Sequence, residues 1–256
     1  SSEVELCASN GVADITEMKI GFDGIVLGNS VKSETYKLTR EQLFLALAKD
    51  VPVDGKLVPN PYVRWVQIDS SLPNVEIEVL GPPPTSGTRD AFVELVMEEG
   101  AGEIPFLADL KKTDGKAFKQ VFGSMREDGK FIEAGENDNL IVQKLEANPS
   151  ALGIFGFSFL DQNSDKIHGS IINGVAPTFD NIADGSYPVA RSLFFYVKNA
   201  HVGQIPGIKE FLAEFTSEKA FGETGYLTDK GLIPLPKKDR DAVADAAANL
   251  TKLSLN

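Results

Sequence analysis

Apolar residues along the chain fall into short runs, and the period of those runs changes from one segment to the next. The opening SSEVELCASNG reads as the last turns of a helix, with Gly11 after Asn10 at the C-terminal cap. ITEMKIGFDGIVLGNS (15–30) is mostly apolar and predicts buried strands interrupted at Gly21 and Gly24, with Asp23 in a turn between them. Thr39 followed by Gln42 ahead of LFLALA is a capping-box pattern, so a helix is expected over 40–49. Residues 50–74 are rich in Pro, Asn and Asp and predict a long packed loop pinned by Tyr62 and Trp65. VEIEVL (75–80) alternates as a half-buried strand does.

GPPPTSGTRD (81–90) ends that pattern, because three prolines hold the backbone extended. Helical spacing resumes in AFVELVMEEG, where Phe92, Leu95 and Val96 share a face. Thr85 to Asp90 is therefore a loop entering a helix N-terminus. KAFKQVFGSM and NLIVQKLEANP predict two more helices, the second stopped by Pro149. ALGIFGFSF (151–159) predicts a buried strand and turn, with Phe155, Phe157 and Phe159 in the core. KIHGSIING is a short strand and TFDNIADGSYP a capped helical turn. RSLFFYVK (191–198) is a strand. PGIKEFLAEFTS places Pro206 near the first helical position, with apolar residues at 208, 211, 212 and 215, and DRDAVADAAANL is the last helix.

Strands alternating with helices argue for an α/β architecture. Two apolar strands, 20–28 and 191–198, bracket the middle of the chain, which predicts two domains joined by a two-stranded hinge. Domain one then comprises 1–32 and 190–256, domain two is the inserted 33–189, and a ligand sits in the cleft between them.

Composition narrows the function. The chain has 256 residues, 42 % apolar and 24 % charged, as expected of a folded protein rather than a disordered one. No run approaches the ~18 consecutive apolar residues of a membrane-spanning helix. The net charge of −12 disfavours nucleic acid and anionic membranes as partners. Cys7 stands alone, and His168 and His201 lack metal-ligand spacing, so no metal or cofactor is expected. No Gly-x-Ser-x-Gly elbow or nucleophile–base arrangement points to catalysis. The start has neither an initiator Met nor a signal-peptide pattern, which predicts a processed, trimmed or partial chain.

The stretch from Thr85 to Arg89 is the strongest candidate for chemistry. Gly87 permits close backbone approach, Ser86 and Thr88 offer hydroxyls, and the N–H groups of a helix's first turn point the same way. Arg89 adds a fork of donors. Together these groups suit an oxyanion such as phosphate or sulfate. A Ser/Thr helix cap without a ligand explains the same residues, and the glycine spacing is not that of a P-loop. Asn137-Asp138 in GENDN is a second polar turn that either faces the cleft or caps a helix.

GFDGIVLGNS, VEIEVLGPPPTSGTRDAFVELV, GENDNLIVQKLEANPSALGIFGFSF, YPVARSLFFYVK and PGIKEFLAEFTSEKAFGETGYLTDKGLIPLP, taken in order, resemble the phosphate-binding proteins of bacterial ABC transporters. The resemblance implies a two-domain periplasmic-binding-protein type II fold that closes on inorganic phosphate and delivers it to a membrane permease. It implies a periplasmic, monomeric receptor that is not an enzyme. Ser86, Gly87 and Thr88 match the family's phosphate loop, flanked by Thr85. Many members carry an arginine four positions before that serine, where Pro82 stands here; Arg89 is the candidate replacement. The family's opening strand and first phosphate loop have no counterpart, so domain one is expected to lack its first several tens of residues, a carboxylate ligand among them. Such a carboxylate accepts the proton of phosphate and repels sulfate. Asp90 is expected to point away from Ser86. Sulfate or another tetrahedral oxyanion, and a phosphate-binding-like surface protein without a transport role, remain alternatives.

Overall fold

One long strand, Ile15–Ser30, carries the chain from the first of two structural units into the second. The computed structural model describes residues 2–135 and 138–254. Residues up to Asp23 group with those from Arg191 onward, and Gly24–Ala190 forms the other unit. Residues 24–32, expected with the first domain, thus fall in the second unit. The reason is pairing: Ile25 to Gly28 runs antiparallel to Gly153 to Gly156, and Gly28 to Ser30 antiparallel to Ile167–Gly169.

The strand is continuous where interruptions were expected at Gly21 and Gly24, and Asp23 lies within it rather than in a turn. The glycines provide clearance instead. A Cβ on Gly21 would stand 2.5 Å from the Ile233 carbonyl oxygen, and one on Gly24 2.6 Å from Ile182 Cδ1.

In the 24–190 unit the sheet order is Phe131–Glu133, Val79–Gly81, Leu152–Gly156, then the later half of the long strand, with Ile167–Gly169 on its far side. The first three strands are parallel, as helical crossovers require. Val26, Leu27, Val79, Leu80, Leu152 and Ile154 are almost wholly buried. Each contributes about 1.5–3 kcal/mol by leaving water. Of the expected 75–80 strand only Val79 and Leu80 join this sheet, together with Gly81; Glu76 makes a single bridge with Arg64.

Thr39 caps Arg40–Leu47 with the full reciprocal box: its hydroxyl accepts from Gln42 N–H while the Gln42 side chain accepts from Thr39 N–H. The expected loop at 50–74 contains a hairpin, Asp50–Val53 with Lys56–Pro59, turning at Asp54 and Gly55, both at positive φ. Trp65 is fully buried against Tyr36, with ring centroids 5.7 Å apart, and Tyr62 is half-buried. The helix Pro105–Thr113 was not anticipated; its proline occupies the first turn. Gly115–Gly123, capped by Asp114, and Asp138–Ala147 follow. After Leu152–Gly156 the chain enters a short helix, Phe157–Gln162, rather than a turn. Phe155 and Phe157 are buried and Phe159 half-buried.

The other unit packs Met18 and Ile20 of the long strand and Phe195 and Val197 of Ala190–Lys198 against two helices, Ile208–Phe215 and Lys237–Asn249. Met18, Leu212 and Ala247 are its buried centre. Pro206 precedes the N-cap, Gly207, instead of sitting inside the helix; Gly207 adopts φ +90°. The helix Ser2–Ser9 leads into this unit.

Candidate anion-binding loop

Parallel pairing aligns the C-terminal ends of three strands along one edge, at Gly81, Glu133 and Gly156. Ligands of open α/β sheets gather at such edges because loops, helix N-termini and unpaired backbone groups meet there. The segment leaving Gly81 is the proline-rich loop found in the sequence. Pro82, Pro83 and Pro84 have no N–H, so the loop is held through its carbonyls. Ser86 N–H donates to the Pro83 carbonyl at 3.0 Å. Ala134 N–H donates to the Gly81 carbonyl at 2.9 Å, tying the loop's root to the neighbouring strand.

Ser86 is the N-cap of Gly87–Phe92. Its backbone is extended, and its Oγ accepts the Thr88 N–H at 3.3 Å. The amides of Arg89 and Asp90 reach the Ser86 carbonyl at 3.0 and 3.2 Å. The helix continues through a π-helical segment, Val93–Glu98, into Glu99–Glu103. This wider turn shifts the buried face: Phe92, Val96 and Met97 are buried, and Leu95, expected among them, is half-buried. The long helical axis puts its positive end at Ser86 and Gly87.

Gly87 is exposed, and a Cβ there would meet no atom within 4 Å. Neither packing nor positive φ requires a glycine at this position. The absent side chain leaves the Gly87 backbone open to close approach. Ser86 and Thr88 flank it half-buried, and Thr85 is exposed at the rim.

Arg89 departs from its expected position. The residue is 8 % exposed. Its Nη1 donates to the Pro82 carbonyl at 3.1 Å and lies 3.9 Å from Glu133 Oε1; its guanidinium covers the Phe131 ring at 4.7 Å. Burial pulls it below the usual arginine range, opposed by Glu133 and Asp90. It remains a cation. Arg89 and the exposed Asp90 line a cavity of about 840 Å³ with Pro84, Glu94, Lys119 and Glu133. Ser86, Gly87 and Thr88 are not among the described residues lining that cavity. The structure therefore unites Ser86, Gly87 and Thr88 on one surface and turns Arg89 inward behind them.

The remaining candidates lie elsewhere. Asp23 and Arg191 pair at 3.8 Å, and burial raises the Asp23 carboxyl against the pull of that arginine. His168 pairs across the ladder with Asn29; its Nδ1 is 3.3 Å from Thr35 Oγ1, and burial lowers its affinity for a proton. His201 and Cys7 are exposed. Among the described residues no group of three or more His, Cys, Asp or Glu is arranged for a metal, and no helix is long and apolar enough to cross a membrane. The Asn137-Asp138 turn lies outside the described residues, except for the backbone of Asp138. The inward turn of Arg89 was missed, although three consecutive prolines already signalled carbonyls that need a donor.

Comparison with known proteins agrees with this layout. A family model described as a PBP superfamily domain matches residues 1–219. The chain is 28 % identical to the phosphate-binding protein PstS of Staphylococcus saprophyticus over 87 % of its length, and 27 % identical to protein SphX of Synechococcus elongatus over 92 %. It spans about three fifths of the length of these curated relatives, 58 % and 60 %. Among solved structures, a possible phosphate binding protein from Planctomyces limnophilus superposes with a TM-score of 0.70 at 25 % identity, covering 98 % of this chain and 78 % of its own. An ABC-type phosphate transport receptor from Vibrio cholerae shares the fold with a TM-score of 0.59 at 19 % identity, over 92 % of this chain and 85 % of that one.

Proposed function

The chain belongs to the PBP superfamily, and we propose that it is a receptor that captures inorganic phosphate and delivers it to the permease of an ABC transporter. The observation that carries this reading is the open Gly87 between Ser86 and Thr88, at the helix N-terminus on the C-terminal edge of the parallel strands. The phosphate-binding names of relatives and structural neighbours supply the ligand class.

Neutral donors do the binding. The Gly87 amide and the Ser86 and Thr88 hydroxyls point partial positive charge at the anion, backed by the helix dipole. Thr85 lies at the rim. Arg89 contributes its charge from behind the loop. Removal of water from the bound anion strengthens each hydrogen bond. No group transfer is involved, so the protein works as a binding receptor rather than an enzyme. The same reading places it outside the cytoplasmic membrane, in the periplasm or an equivalent compartment, acting as a monomer.

Thermal unfolding with added phosphate tests the reading. A ligand that binds only the folded state raises Tm with its concentration. Phosphate is expected to raise Tm, sulfate at the same ionic strength to do so much less. Equal shifts with both anions would support general oxyanion binding, and no shift with either would remove the receptor role.

A further inference from the structure

Resting on the phosphate reading, we propose that Arg89 is a positioning residue of the binding loop: it clamps the loop's root to the helix's first turn and does not touch the anion. Pro82 to Pro84 supply three carbonyls and no N–H, so an external donor must fix this stretch. Ser86 N–H serves the Pro83 carbonyl and Arg89 Nη1 serves that of Pro82. Arg89 stands three residues after the cap and Pro82 four before it, so one side chain spans both flanks of the Ser86–Thr88 turn. Phe131 under the guanidinium and Glu133 beside it belong to the neighbouring parallel strand, which extends the clamp to the sheet.

The surroundings disfavour direct anion contact. The cavity faced by the guanidinium also has Asp90, Glu94 and Glu133 on its wall. With Glu98 and Glu127 the wall carries five carboxylates for four cations, Lys49, Arg89, Lys119 and Arg126, so an anion there meets no net positive charge, while the donors of Ser86–Thr88 lie outside that lining. Burial and ring stacking favour the planar fork over an ammonium, so lysine is a poor substitute in this role.

The test pairs hydrogen exchange on the phosphate-free protein with phosphate titration of Arg89→Lys and Arg89→Gln. In both variants the clamp predicts faster exchange at the Ser86, Thr88 and Arg89 amides without phosphate. It also predicts at least tenfold weaker phosphate binding in both, because lysine restores charge but not geometry. Affinity retained in Arg89→Lys, with exchange unchanged in both variants, would overturn the proposal in favour of a direct charge contact. Absence of phosphate binding by the unsubstituted protein would remove the ligand, and with it the loop's stated purpose. Exchange would still decide separately whether Arg89 holds the loop.

Discussion

At Gly87 the balance between folding and binding runs in opposite directions. Alanine fits there without a clash and suits a helix's first turn better than glycine. Gly87→Ala is therefore expected to leave stability unchanged or raise it by about 0.4–1 kcal/mol. The same methyl group would project where the anion must approach, so phosphate affinity is expected to fall at least tenfold. Denaturant melts and calorimetry on the one variant separate the two effects; unchanged affinity would mean that nothing docks against Gly87. Thr88→Val keeps the shape and removes a hydroxyl, which is expected to weaken binding by about 0.5–1.5 kcal/mol. The loop's residue types were legible in the sequence because Ser, Gly and Thr reveal their capping and turning properties locally. The orientation of Arg89 was not, since it depends on Phe131 and Glu133, more than forty positions away.

At the scale of elements, local signals translated well and distant ones did not. Thr39 and Gln42 announced their helix, and both reciprocal bonds form. Thr39→Ala is expected to cost about 0.5–2 kcal/mol of stability, read from the urea midpoint at constant m-value. The Asp54-Gly55 hairpin carried its own turn signal and was overlooked amid the surrounding prolines. Gly21 and Gly24 looked like strand breaks because their close neighbours, Ile233 and Ile182, are distant in sequence. The π-helical turn left no trace in helical spacing, and it moved Leu95 off the buried face. A further element-level contact contributes to acid sensitivity. Buried Arg126 grips Asp128 through two hydrogen bonds, at 2.8 and 2.5 Å, while also donating to the carbonyls of Ala46 and Tyr62. The bonds from Arg126 hold the Asp128 carboxyl below the usual range. A carboxyl depressed in the folded state binds fewer protons there than in the unfolded chain. Its contribution is complete above the ordinary carboxylate pKa and fades as pH falls through the lowered one. Asp128→Asn should therefore destabilise the protein at neutral pH and flatten its loss of stability in acid, as followed by urea melts across pH. An unchanged acid limb would show that the pair carries no pH dependence.

For the molecule as a whole, the two units differ in how they are made. Gly24–Ala190 is one continuous segment that holds the three parallel strands, whereas the other unit is assembled from both ends of the chain. The α/β class and the double crossing were legible because strands recur between helices. The position of the crossing was not, because it depends on Ile25–Gly28 pairing with a strand more than a hundred residues later. The continuous segment is expected to fold when produced alone, shown by dispersed amide resonances and a cooperative melt. An uncooperative melt would mean that its core needs the rest of the chain. The net charge of −12 adds a constraint on binding. An acidic protein attracts an anion only through local donors, which places the burden on Ser86, Gly87 and Thr88.

The most direct test of that assignment is a phosphate titration of the isotopically labelled protein followed through its amide resonances, with sodium chloride at matched ionic strength as reference. Saturable shifts largest at Gly87 and Thr88, absent with chloride, are the predicted result. Shifts centred elsewhere, or none at these two residues while phosphate binds, would contradict the account.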